Sequence, residues 1–222
     1  MGRFAGALAD SAVGRDRAVQ NPMAVALPHA ARVAALFAAA ERDWQAFLGQ
    51  RVGFHTYVHA DWAGALPVLR ALRPRADSFL EFGSGLGVIT ILADLLGYDA
   101  YGIELDPWLH ARSQDLADAS ASGAVFAHGS FVPDACRDSL HENADFLPVR
   151  EGEAAYRDLG LDLADFDLVY AFPWPGEEER FLEMVRTCGR RDALLLLYGA
   201  SDGYQLFQRG RQIPLPTAQK RS

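Results

Sequence analysis

The residues with the clearest chemical content are Glu81-Phe82-Gly83-Ser84-Gly85-Leu86-Gly87. They follow a short apolar run, Ser78-Phe79-Leu80, and open into a second apolar stretch from Val88 to Leu96. Glycines at alternate positions let the backbone turn tightly and let a ligand approach the peptide amides. The helix that follows turns its positive end toward the same place. A strand, a glycine turn and a helix in this order form the first unit of a nucleotide-binding α/β sheet. The carboxylate ahead of the glycines discriminates among nucleotides. It repels a pyrophosphate and attracts a ligand that carries positive charge.

Two further residues sharpen the motif. Val88 stands where the dinucleotide fingerprint G-x-G-x-x-G requires its third glycine. Glu104 lies 21 residues after Gly83, at the end of the next apolar segment. An acidic side chain there accepts hydrogen bonds from both ribose hydroxyls. A solvated strand end is the plain alternative for Glu104.

These residues resemble the class I S-adenosylmethionine-dependent methyltransferases, whose binding loop is E/D-x-G-x-G-x-G and whose second strand ends in an acidic residue. The resemblance covers residues 76 to 200. It implies S-adenosyl-L-methionine as cofactor, with Glu81 on the methionine ammonium side and the backbone of Gly83, Ser84, Gly85 and Gly87 around the methionine and ribose. Glu104 would hold the ribose, with Leu105 beside it and Ala171 at the end of the fourth strand. The string Glu104-Leu105-Asp106-Pro107-Trp108-Leu109 is similar to one in small FAM173-type lysine methyltransferases. Asp106-Pro107 is equally a good helix start, and Trp108 suits core packing as well as adenine contact. The third strand ends Ala127-His128-Gly129-Ser130-Phe131, without the Asp that many of these enzymes use for adenine; Asp134 is the nearest acid. Ser130 and Phe131 are the remaining candidates there, one as a polar contact and one as a stacking ring. His128 reads as a structural strand-end residue.

Methyl transfer to an acceptor would take place at the carboxyl ends of the strands. The fourth strand runs into Phe172-Pro173-Trp174-Pro175-Gly176. Two prolines stiffen this loop, as a substrate wall requires, and Phe172, Pro173 and Trp174 are the catalytic candidates. The loop partly resembles the D/N-P-P-Y/F/W loop of amino-group methyltransferases, with its leading Asp or Asn replaced by Ala171 or Phe172. Glu177, Glu178 and Glu179 suit the first turn of the next helix. A sulfonium methyl is already activated, so catalysis is largely alignment, and no catalytic triad is expected. His55, Tyr57 and His59 share a face if their segment is extended. That face suits a lid over the cofactor, with Tyr57 and His59 near the substrate, a metal site, or a plain exposed connection; no metal is assigned.

Periodicity supplies the elements that must position these groups. Strands are predicted at 78–82, 99–104, 124–128, 166–172 and 193–198, and helices at 86–97, 107–121 and 177–189. Their alternation predicts a doubly wound, mostly parallel α/β sheet. Ahead of it, His29 to Leu48 carries an apolar helical stripe. Asp61 is an N-cap candidate for a helix through Leu72, with Pro67 inside it. The division expected is a mobile arm at 1–25, an N-terminal helical cap at 26–73 and a Rossmann-like cofactor-binding domain at 74–222. Residues 130–165 are long and polar, with a short helix at 153–159. After the fifth strand, Gly203 to Phe207 offers one strand of a final hairpin but no evident second, so an abbreviated C-terminal edge is expected.

The chain has 222 residues, half of them hydrophobic, and a net charge of −8. This suits one soluble domain and disfavours extensive nucleic-acid contact. No run is long enough to span a bilayer, and the N-terminus lacks a signal-peptide core. Cys136 and Cys188 are far apart and outside any CxxC, so neither a disulfide framework nor a zinc site is expected. A cytoplasmic protein follows, its oligomeric state open. Three functions fit: methyl transfer to a protein side chain or small molecule, non-catalytic S-adenosylmethionine binding, and NAD-dependent oxidoreduction. Glu81 and Val88 speak against the third.

Overall fold

A computed structural model describes residues 29–49, 58–136 and 155–216. The expected arm, Tyr57 and His55, and residues 137–154 lie outside them. The elements in chain order are α1 (His29–Gly49), α2 (Trp62–Leu72), β1 (Ser78–Phe82), α3 (Val88–Leu95), β2 (Asp99–Glu104), α4 (Pro107–Ala119), β3 (Val125–His128), α5 (Tyr156–Leu159), β4 (Leu168–Ala171), α6 (Glu178–Cys188), β5 (Leu194–Gly199), β6 (Gly203–Gln208) and β7 (Arg211–Ile213).

The strands form one sheet in the order β3-β2-β1-β4-β5-β6-β7. The first five are parallel, and β6 and β7 are antiparallel to their neighbours. The order reverses at β1, whose neighbours are β2 and β4. In an open α/β sheet this switch point leaves a crevice at the carboxyl ends of the strands.

Alternating side chains divide the core into two layers, as period-two strands buried on both faces must. Phe79, Leu168, Tyr170, Leu194 and Leu196 face α1, α2, α3 and α4. Leu80, Phe82, Val169, Ala171, Leu195 and Leu197 face α5 and α6. The fold is therefore the doubly wound, mostly parallel sheet that the alternation of elements predicts. Val33, Leu36 and Ala40 of α1 and Leu69 and Leu72 of α2 belong to the first layer. Each large apolar side chain removed from water there contributes about 1.5–3 kcal/mol. Arg32 fastens α1 further, donating to the carbonyls of Ser120 (3.0 Å) and Ala121 (3.1 Å) just past α4.

Local chemistry sets the ends of the helices. Asp61 caps α2, accepting from the Gly64 amide at 2.9 Å. Asp106 caps α4, accepting from the amides of Trp108 (2.8 Å) and Leu109 (2.9 Å), with Pro107 at its first position. Pro67 sits within α2.

Two expectations are corrected. The C-terminal edge holds a complete hairpin, because Arg211–Ile213 pairs with β6. Its turn, Arg209-Gly210, has φ values of 53° and 71°. Two left-handed residues make the tight turn whose twist suits a hairpin, a turn usually built from Asn-Gly. Arginine in the first position hid it. Second, Cys136 and Cys188 form a disulfide, with Cα atoms 6.3 Å apart. The pairing is a product of the fold, which brings the segment after β3 against the end of α6 across 52 residues of sequence. The cysteine-based argument for a reducing compartment falls with it. No helix among the described residues is long and apolar enough to cross a membrane.

Candidate cofactor site

The glycine loop joins β1 to α3 at the switch point. Gly83, Gly85 and Gly87 all have positive φ, 65°, 54° and 74°. A side chain at Gly87 is excluded twice, since its Cβ would also lie 2.5 Å from the Phe126 ring. At Gly83 nothing stands within 4 Å of a Cβ position, so the loop opens there into free space. The Ser84 amide donates to the Ile103 carbonyl at 2.9 Å, which ties the loop to β2.

Glu104 ends β2 and anchors the same loop. One carboxylate oxygen accepts from the Gly85 amide at 2.7 Å, the other from the Asp106 amide at 2.8 Å. The Leu105 amide also faces the carboxylate, and one of the carboxylate's four acceptor positions remains for a ligand. Burial raises the carboxyl pKa, and the amides of Asp106 and Gly85 oppose that rise. Ser84 Oγ is buried and has no hydrogen-bond partner among the described residues. Buried polar atoms are nearly always paired, so an orphan hydroxyl beside an open glycine loop suits a ligand contact. The loop, the carboxylate and the orphan hydroxyl together fit a nucleoside with a free ribose edge.

Glu81 sits on the α3 side of β1. Its carboxylate accepts both the amide (2.9 Å) and the hydroxyl (2.5 Å) of Thr90. Burial pushes its pKa up to about 8, the Thr90 bonds oppose the shift, and the charge of Glu104 adds to it. Burial thus favours the protonated form, and a nearby positive charge would favour release of the proton.

The remaining candidates are dispersed. Leu105 lies next to Glu104, and its carbonyl meets His128 Nε2 at 2.9 Å. Ser130 is buried, and its hydroxyl accepts from the Val132 amide at 3.1 Å. Phe131 packs its ring between Phe82 and Phe181, with centroids 5.0 and 5.7 Å away, in the layer under α6. The ring is half-buried and packs against that layer of the core. Ala171 is buried at the tip of β4, paired with Phe82 of β1. His59 packs against Trp44 and Trp62, with centroids at 5.2 and 4.6 Å, and its Nδ1 meets the Ala60 carbonyl at 3.0 Å. These contacts seat the ring between α1 and α2. No cluster of metal-ligating side chains occurs among the described residues.

At the carboxyl ends of β4 and β5 the structure assembles an aromatic wall that sequence spacing did not reveal. The Phe172 ring lies 5.0 Å from Tyr198, and Tyr198 lies 4.7 Å from Tyr204 on β6. The Tyr204 hydroxyl donates to the Asp61 carbonyl at 2.8 Å, joining this wall to the start of α2. Beyond Pro173, Trp174 is 55% exposed. Its amide donates to Glu177 at 3.1 Å, so the Pro-Trp-Pro loop is pinned at its base while the indole faces solvent.

No family model matches the chain, and no curated protein matches it. Solved structures similar to it include an RNA methyltransferase from Salinibacter ruber in complex with S-adenosyl-L-homocysteine. It is 16% identical, with 64% of this chain and 78% of that one covered and a TM-score of 0.43. Another is the precorrin-6y C5,15-methyltransferase of Geobacter metallireducens, at 17% identity, 66% and 65% coverage and a TM-score of 0.42. A third is the Pyrococcus abyssi tRNA (uracil-54, C5)-methyltransferase in complex with S-adenosyl-L-homocysteine, at 12% identity, 65% and 30% coverage and a TM-score of 0.43. At TM-scores this low, none of these likenesses bears on what this chain acts upon.

Proposed function

We propose that the chain binds S-adenosyl-L-methionine and transfers its methyl group to a protein side chain or a small molecule. One observation carries the reading: the Glu104 carboxylate is fixed against the glycine loop by the Gly85 amide at 2.7 Å. That contact sets a ribose-binding acid beside three left-handed glycines at the switch point of the sheet. The cofactor supplies a methyl group already activated on a sulfonium. The chain's own residues supply binding, alignment and exclusion of water. Glu104, the Ser84 hydroxyl and the open face of the glycine loop orient the nucleoside, Glu81 adjusts its proton to the charge nearby, and Phe172, Tyr198 and Tyr204 wall off the acceptor side. In-line alignment carries most of the rate, which accords with a β4 tip of Ala171, Phe172 and Pro173 that offers no acidic side chain. A lysine-type amine is the acceptor suggested by the Glu104–Leu109 string.

The test is calorimetry with S-adenosylmethionine, S-adenosylhomocysteine and NAD on the wild type and on Glu104→Ala. Both sulfur nucleosides should bind the wild type, the variant should bind them at least about tenfold more weakly, as loss of charged hydrogen bonds implies, and NAD should not bind. NAD binding without S-adenosylhomocysteine binding would overturn the proposal in favour of an oxidoreductase. Cofactor binding with no methyl transfer to lysine peptides or small amines in a broad screen would leave a non-catalytic binder.

A further inference from the structure

A second site lies at the opposite end of the sheet. β5 passes to β6 through residues 200–202, so no crossover helix follows β5 to join α6 on its face of the sheet. A cavity of about 300 Å³ remains between the end of α6 and the β6–β7 turn. Its floor is apolar, with Val185, Leu195 and Phe207 among its residues, and its rim carries Arg186, Arg190, Arg191 and Arg209. Arg190 and Arg191 lie in the turn before β5, at the amino ends of the parallel strands, whereas the glycine loop lies at the carboxyl ends. The two sites are therefore separate.

Four arginines share this rim in a chain of net charge −8. Three are held by carboxylates of the chain: Arg186 by Glu183, Arg190 by Asp167 and Arg209 by Asp192. Four cations against three anions leave one positive charge in excess. The pairs also orient the guanidiniums without using all their donors, since each has five N–H groups and a carboxylate engages two or three. Arg186, Arg190 and Arg209 keep more than half of their side-chain surface exposed. Arg209 is held in place by a left-handed backbone that an arginine rarely adopts. Its guanidinium is fixed against Asp192 by two hydrogen bonds.

We propose that this cavity binds a small amphipathic anion, an aromatic or aliphatic body bearing one carboxylate, sulfonate or phosphate. The apolar floor takes the body, and the arginine rim takes the anion in paired N–H···O bonds. Its volume is at the lower end for small-molecule pockets, which limits the body to two or three small rings or a short chain.

The test uses the full chain and 1-anilinonaphthalene-8-sulfonate, whose fluorescence reports entry into an apolar site. N-phenyl-1-naphthylamine has the same body without the anion. The sulfonate should bind the folded wild type at least about tenfold more tightly than the neutral amine, as a charge-assisted pair implies. Arg191→Glu combined with Arg209→Asn should remove that preference. Asparagine suits the left-handed turn position, so this variant keeps the hairpin, and an unchanged melting temperature verifies the fold. The proposal is overturned by no sulfonate binding to the wild type, by equal affinity for the two dyes, by undiminished binding to the variant, or by displacement of the dye with S-adenosylhomocysteine. None of these outcomes touches the glycine-loop assignment, which calorimetry tests separately.

Discussion

Glu81 on β1 and Thr90 on α3 are joined by two hydrogen bonds to one carboxylate oxygen. The strand that leads into the glycine loop is thus latched to the helix that leaves it. The latch is buried, and its acid titrates near pH 8, chiefly because burial disfavours the charged form. The native state therefore holds this proton to a higher pH than the unfolded chain does. Stability contributed by the group is complete below its unfolded value of about 4.5 and declines as pH rises through about 8. Glu81→Gln retains an acceptor for Thr90 and cannot ionise. Urea unfolding should find the variant gaining on the wild type between pH 5 and pH 9, with a slope of at most about 1.4 kcal/mol per pH unit. Parallel stability curves for the two proteins would show that Glu81 does not titrate there.

Gly87 is the glycine with least latitude. Its φ of 74° is strained for any L side chain, and a Cβ would meet Phe126 Cζ at 2.5 Å and Ser113 Cβ at 2.8 Å. Phe126 is buried, and α4 holds Ser113, so neither neighbour moves freely. Gly87→Ala should lower stability by about 1–3 kcal/mol, the range for one strained residue plus overpacking. Gly83→Ala meets no neighbour and bears only the backbone strain, so it should cost less. Chemical denaturation of the pair decides this: equal losses would mean that the Phe126 contact is unimportant.

Much of this arrangement was readable in the order of residues, for reasons that differ by element. β1 and β2 were read to the residue, because Ser78–Phe82 and Asp99–Glu104 are bounded by turn signals and feed a motif of fixed spacing. Asp61 and Asp106 announced their helices, because a cap is a local interaction. What stayed hidden was non-local. The Thr90 latch depends on how α3 lies against β1. The Tyr204–Asp61 bond joins residues 143 apart, and the disulfide joins residues 52 apart. The contacts of Phe131 with Phe82 and Phe181 likewise depend on how β1, α6 and the segment after β3 pack together.

The Tyr204 hydroxyl joins the C-terminal hairpin to the start of α2 through the Asp61 carbonyl. Tyr204→Phe removes the bond to the Asp61 carbonyl and the one to the Tyr170 hydroxyl, and keeps the ring against Tyr198. The carbonyl retains its bond from the Ala65 amide at 3.0 Å, so it is not orphaned. The buried Tyr170 hydroxyl loses a partner, so the expected loss is about 1–3 kcal/mol. Hydrogen exchange should locate the change at 61–65 and 198–206 and leave the glycine loop as protected as before. Faster exchange at 83–87 would mean that the hairpin supports the cofactor loop directly.

The disulfide offers the sharpest departure from the sequence reading. Cys136 is buried just after β3, and Cys188 ends α6 half-exposed. Closing 52 residues removes unfolded-state entropy worth about 4 kcal/mol in the chain-entropy account, and measured gains are often smaller. Cys188→Ser keeps the side chain small and removes the cross-link. Without reductant the variant should melt several degrees below the wild type, given about 2–4 °C per kcal/mol for a domain of this size. Adding dithiothreitol should bring the wild type down to the variant and leave the variant unmoved. That convergence separates loss of the cross-link from any packing defect caused by serine, because a packing defect persists in reductant. Two titratable thiols in the unfolded, unreduced wild type would show that the bond does not form.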